Sequence, residues 1–226
     1  MKKLFSFIAI ILATISYAQS LKDFTAPKGY EKIAEAKGDL DKDGKDEVVM
    51  IFNTDTRASK EEYPEQDYKR ILYILKNKDG SLRIWKEASG FLVSSGTGFY
   101  SEKNSPPEIS IKNGSLAIIQ SFDTNSRHTL TYRHTFRFQN GDFYLIGSQE
   151  AFDDTCEFNL LSEINFSTGK VIVKDDYYPC FEGSVAPAED FHKEFIHPFK
   201  TLIKMTDFKI GEHRFKIPGS KKDFVF

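Results

Sequence analysis

Residues 131–147 read TYRHTFRFQNGDFYLIG, and they decide the fold class. Side chains of an extended chain point alternately to its two faces. Traced back to residue 127, the alternation puts His128, Leu130, Tyr132, His134, Phe136 and Phe138 on one face, with Arg127, Thr129, Thr131, Arg133, Thr135 and Arg137 on the other. Asn140-Gly141 then tolerates the positive φ of a tight hairpin turn, and DFYLIG returns as the second strand.

The same device recurs in RILYILKNKDGSLRIW (70–85), EISIKNGSLAII (108–119) and EINFSTGKVIV (163–173). Four hairpins in series predict an all-β, mostly antiparallel meander, curled into a sandwich or an open barrel, with little helix. The turn glycines at 80, 114, 141 and 169 stand 34, 27 and 28 residues apart, short of the roughly 40 residues of a propeller blade. Residues 189–197, EDFHKEFIH, predict one short helix ended by Pro198. The tail from Phe199 fits strand or coil.

The N-terminus carries Lys2 and Lys3, an apolar run from Leu4 to Leu12, and small residues at Ser16 and Ala18. That is the layout of a secretory signal peptide, 1–18, cut after Ala18. The run is too short to favour a membrane span, so the mature chain is expected to have none and to be periplasmic or secreted. Residues 19–226 read as a single β-rich domain, with 21 phenylalanines and ten tyrosines to fill its core. Without residues 1–18, 29 basic residues face 33 acidic ones, a net charge of −4. No basic stripe or polybasic cluster is present, which argues against nucleic acid and anionic membrane as partners.

An exported chain meets oxidising conditions, so its two cysteines, Cys156 and Cys180, are expected to form a disulfide. A three-residue turn at 167–169 would pair Phe166 with Lys170 and set Cys156 opposite Cys180, with Cα atoms about 4.5–5.5 Å apart.

The sharpest chemical signal is GDLDKDGKDEVVMIF, residues 38–52. Its crowded acids repel one another unless a cation sits among them. Counted from Asp39, carboxylates fall at positions one, three and five as Asp39, Asp41 and Asp43, glycine at six as Gly44, and Glu47 at nine beside Asp46. Alternate spacing turns the aspartates toward one centre, and the bend at Gly44 lets the Lys45 carbonyl join them. Oxygen-only ligands on a flexible loop suit calcium over magnesium. An EF-hand would need glutamate at position twelve, where Met50 stands within a strand pattern. The loop resembles the FG-GAP or VCBS type, D-x-D-x-D-G-x-x-D followed by a strand. That resemblance implies side-chain ligation by Asp39, Asp41, Asp43 and Glu47 and backbone ligation by Lys45, with Glu47 replacing the usual aspartate. More broadly, the order of signal peptide, single GDLDKDG loop, RILYIL, IKNGSL and FRFQNGDFYLIG looks like a group of exported bacterial proteins, a likeness that implies no activity.

Catalytic patterns are missing from the sequence. There is no H-E-x-x-H and no G-x-S-x-G, and GTGFYS from Gly96 lacks the strand–turn–helix setting of a dinucleotide loop. His192 and His197 are five residues apart, and His128 and His134 about 20 Å apart in extended chain, so neither pair shares a metal. Asp153 and Asp154 beside Glu150 form the one local acid–base candidate. The expected function is therefore a non-enzymatic binding or interaction module, stabilised by calcium and a disulfide, for a protein or glycan partner. The alternatives are a periplasmic immunity or inhibitor protein and a hydrolase whose site is assembled from distant residues. Long connections at 54–69, 87–107 and 175–190 could present the binding surface or be tolerated insertions.

Overall fold

The alternating segments form strands that pair in chain order. The structure, a computed structural model, describes residues 24–58, 67–99 and 106–226. The expected signal peptide, and parts of the connections at 54–69 and 87–107, lie outside the described residues. A four-stranded sheet follows the order β1 (Glu31–Gly38), β2 (Glu47–Arg57), β3 (Tyr68–Lys78), β4 (Ser81–Ala88). A seven-stranded sheet runs from β5 (Glu108–Lys112) through β6 (Ser115–Asp123), β7 (His128–Gln139), β8 (Asp142–Asp154), β9 (Phe158–Asn165) and β10 (Lys170–Tyr177) to β11 (Phe191–Ile196). All these pairings are antiparallel, and each strand lies beside its sequence neighbour. Strands β12 (Arg214–Lys216) and β13 (Asp223–Val225) form a small hairpin.

The two large sheets share one core. Val49, Ile51, Leu72 and Ile74 from the first meet Leu116, Ile118, Phe136, Leu145, Ile164 and Val171 from the second. The arrangement is sandwich-like, without a closed barrel. Leucine, isoleucine and phenylalanine on the inward face are each removed from water, worth about 1.5–3 kcal/mol per side chain. The outer face of the first sheet has its own cover: Phe24, Ala26 and Tyr30 pack on Val48, Phe52 and Tyr73.

All four predicted hairpins form. Asn113 and Gly114 take φ values of 54° and 70°, the double left-handed turn that Asn-Gly adopts cheaply. The fourth hairpin departs from expectation in register. Its turn has four residues, 166–169, so Asn165, not Phe166, stands opposite Lys170. The Asn165 side chain accounts for the extra residue: Oδ1 accepts the N–H groups of Ser167 and Thr168 at 3.0 and 3.1 Å. The cysteines then lie just past the ladder, whose last bond runs from the Tyr178 N–H to the Glu157 carbonyl at 2.8 Å. Cys156 and Cys180 are still bonded, with Cα atoms 5.2 Å apart.

The predicted helix within 189–197 is a strand instead. Residues Phe191–Ile196 pair along β10, with Phe191 and Phe195 turned inward. Hydrogen bonds to the open edge of β10 outweigh the weak helical preference of six residues. The tail is mostly coil ahead of its small hairpin, and its first part extends the second sheet: the Leu145 N–H donates to the Ile203 carbonyl and the Met205 N–H to the Phe143 carbonyl, both at 2.9 Å. It thereby lines the part of β8 that β9 is too short to reach, and it buries Met205 and Phe208.

Candidate metal centre

The acidic loop connects β1 to β2 at one end of the sandwich. Leu40, 1% exposed, is its apolar anchor and joins the shared core. Gly38, just before it, has no room for a side chain, because a Cβ would lie 2.6 Å from Ile111 on β5. Asp39 shapes the turn: its Oδ1 accepts the Asp43 N–H at 3.2 Å and its Oδ2 the Gly44 N–H at 2.9 Å. Asp43 Oδ1 in turn accepts the Lys45 N–H at 2.9 Å. Gly44 turns the chain at a φ of 83°, a conformation costly for any residue with a Cβ. Carboxylate oxygens of Asp39, Asp41 and Asp43 consequently lie within 4.8 Å of one another.

Two strands supply the remaining groups. Glu47 opens β2 with its side chain between the sheets, 1% exposed, and its Oε2 accepts the Leu40 N–H at 2.8 Å. The register Val48↔Leu75 continues to Glu47 and Lys76, which therefore face each other across β2 and β3. The Lys76 ammonium touches Asp41 Oδ2 and lies 2.9 Å from Asp43 Oδ2 and 3.6 Å from Glu47 Oε1. It also sits 4.9 Å from the centre of the Trp85 ring. The cation that the sequence demands among these acids is, in this structure, a lysine 35 residues from Asp41.

Lysine does not satisfy the cluster. Three carboxylates, those of Asp41, Asp43 and Glu47, share the Lys76 ammonium, while both oxygens of Asp39 accept backbone N–H groups. Asp41 Oδ1 and Glu47 Oε1 are buried without a hydrogen-bond donor, a costly state for charged oxygens. Burial pushes the Glu47 carboxyl above its ordinary range; the Leu40 N–H opposes this, while Asp41 and Asp43 reinforce it. Burial disfavours the Lys76 charge too, but its bonds to Asp41 and Asp43 prevail and raise its pKa. An all-oxygen donor set with spare negative charge is chemically that of a hard-cation site. Lys45 takes part in the structure through its N–H.

A second group, Asp176, Asp190 and His192, is also close enough to share an ion. Its members already serve the β10–β11 connection. Asp176 pairs with Lys174 at 2.7 Å and His192 at 2.6 Å, and Asp190 accepts the Tyr177 N–H at 2.8 Å.

Comparison with protein-family models, curated proteins and solved structures finds no match.

The acid–base candidates separate. Glu150 and Asp154 lie on one face of β8 and Asp153 on the other. The Asp154 side chain is fully buried, bonded to Arg127 at 2.8 Å and to the N–H groups of Cys156 and Glu157 at 2.9 Å. Burial opposes its ionisation, but these donors prevail and hold it well below the ordinary carboxylate range. It pins the turn that presents Cys156.

His128, His134 and His197 pack on aromatic neighbours. His128 uses Nδ1 with Asn125 at 2.9 Å and Nε2 with Asp154 at 3.0 Å, and its ring packs on Phe152 and Phe158. His134 is buried beside Tyr132 and Phe208, and burial pushes its pKa down to about 4. His197 stacks on Phe215 at 4.0 Å. Among the described residues no helix is long and apolar enough to cross a membrane.

Proposed function

We propose that the mature chain is an exported, calcium-stabilised β module that works by binding a protein or glycan partner. The observation that carries this reading is the pair of buried oxygens, Asp41 Oδ1 and Glu47 Oε1, that lack a hydrogen bond at the centre of the acidic loop, the second with only the Lys76 ammonium at 3.6 Å. Asp39, Asp41, Asp43 and Glu47 would hold calcium by their side chains, with the Lys45 carbonyl as the backbone ligand. The ion would supply the positive charge that one ammonium group cannot, and it would fix where β2 starts. Lys76 would keep its place over Trp85 and release Asp41.

The connection at 178–190 supports the binding half. Phe181 and Val185 are 75% and 87% exposed there, and Tyr178 is 45% exposed. The disulfide and the Ser184–Phe181 turn hold this loop, so its apolar groups lose little freedom on binding. Exposed apolar groups of this size on one tethered loop mark an interaction surface. The expected compartment, periplasmic or secreted, provides both the calcium and the oxidising conditions.

The test is thermal unfolding of the mature chain with and without chelator. Calcium at about 1 mM should raise the midpoint by a few degrees, magnesium much less, and Asp41→Ala should abolish the response. A midpoint that ignores calcium in the wild type sinks the calcium half. A pull-down from the native envelope fraction addresses the binding half: a captured partner should be lost with Phe181→Ser/Val185→Ser, and equal capture by that variant would refute this surface.

A further inference from the structure

At the end of β2 and β3 away from the acidic loop, the ladder breaks between Asn53 and Arg57. A cavity of about 470 Å³ opens there, lined by Tyr30, Thr56, Arg70, Ser89 and Leu92 among others. Its size falls within the range of small-molecule sites, about 300–1,000 Å³.

Arg70 is the unusual member. It is 5% exposed, yet forms no ion pair among the described residues. Its one hydrogen bond runs from Nε to Asn53 Oδ1 at 3.1 Å, and Asn53 is itself fixed by donating to Glu31 at 3.2 Å. The terminal nitrogens of the guanidinium are left for the cavity. Nearby Asp67 is engaged elsewhere, accepting the Gly96 N–H at 2.9 Å. Buried charges are ordinarily paired, since an unpaired one costs several kcal/mol. Burial accordingly lowers the pKa of Arg70, with Asp67 opposing the shift.

We infer that this cavity is a binding site for a small hydroxylated monocarboxylate, whose carboxylate pairs with Arg70. The guanidinium fork matches a planar carboxylate with two parallel N–H···O bonds. Arg70 and Lys69 are the charged residues lining the cavity among the described residues, and the acids Asp67 and Glu31 stand behind Arg70, so the local charge suits a monoanion better than a phosphate dianion. Hydroxyls of Thr56, Ser89 and Tyr30 match hydroxyl groups on the ligand, while Leu92 and Ile71 cover its carbon skeleton. The site is about 20 Å along β2 from Glu47, so it stands or falls apart from the calcium loop.

The test titrates the mature protein, at fixed calcium, with D-glucuronate, D-glucose and inorganic phosphate, following amide shifts by NMR. Glucuronate should bind with shifts at Arg70 and its neighbours, and glucose and phosphate at least about tenfold more weakly. Arg70→Met should lose at least about tenfold in glucuronate affinity without lowering the unfolding midpoint, because it removes an unpaired buried charge. Arg70→Lys, which keeps the charge and loses the fork, should fall between. No glucuronate binding by the wild type up to about 50 mM overturns the inference. Equal binding of glucose, tighter binding of phosphate, or undiminished affinity in Arg70→Lys does the same.

Discussion

Replacing Lys76 by methionine separates the two cations that could hold the acidic loop. Methionine keeps an apolar stem of similar length and removes the ammonium, including its contact with the Trp85 ring. Without metal, Glu47 at 1% exposure then loses its counter-charge, and Asp41 loses its direct partner. Breaking a fully buried pair costs about 3–5 kcal/mol. The Lys76 side chain is 28% exposed, so solvent screening reduces this to about 2–3 kcal/mol. For a domain of this size that lowers the unfolding midpoint by roughly 4–12 °C in chelator. In calcium the loss should shrink to a fraction, because the ion replaces the missing charge and no ammonium competes for Asp41. Calcium should therefore stabilise Lys76→Met more than the wild type. The assay is thermal unfolding of both proteins in chelator and across a calcium series. Equal midpoints in chelator would refute the electrostatic account of Lys76. An equal calcium response would refute the competition.

Three further outcomes follow from the geometry. His134 has a folded pKa of about 4, below its unfolded value of about 6.5, so the unfolded chain binds the extra proton; the stability this contributes is full above pH 6.5 and is lost as pH falls toward 4. Urea unfolding of His134→Leu against wild type should show a pH-dependent difference of up to about 3 kcal/mol across that window, and parallel curves would contradict it. The disulfide closes a loop with a sequence separation of 24, so Cys156→Ser/Cys180→Ser should lose about 3.5 kcal/mol by denaturant titration; an unchanged midpoint would show that the bridge adds nothing. Gly38→Ala should cost about 1–3 kcal/mol, because its Cβ meets Ile111 at 2.6 Å, and Ile111→Ala should recover much of that loss; additive effects in the double-mutant cycle would exclude the contact.

Most strands were legible because one face is buried, which imposes a period of two, whereas β2 and β3, buried on both faces, show as continuous apolar runs. Asn-Gly and Asp-Gly marked three turns because few other pairs accept two positive φ values. The fourth turn misled because Asn165 caps it through its side chain, adding a residue that composition does not reveal. EDFHKEFIH misled for a different reason: a short segment beside an open sheet edge takes its conformation from the edge. In the acidic loop the aspartates and the glycine could be read from local spacing. Lys76 could not, since its place opposite Glu47 depends on the register of β2 against β3, strands well separated in sequence. Arg70 was hidden in the same way, as one basic residue in an apolar strand until the fold buried it with no ion pair among the described residues.

The most direct test of the metal centre is calcium binding itself, measured by calorimetry on chelator-treated mature protein. The account predicts one site per chain with a dissociation constant of about 0.1–1 mM, lost in Asp41→Ala and tightened in Lys76→Met. An absence of binding up to about 10 mM calcium, or binding that Asp41→Ala leaves unchanged, would show that Lys76 alone holds the acids and that no ion belongs there.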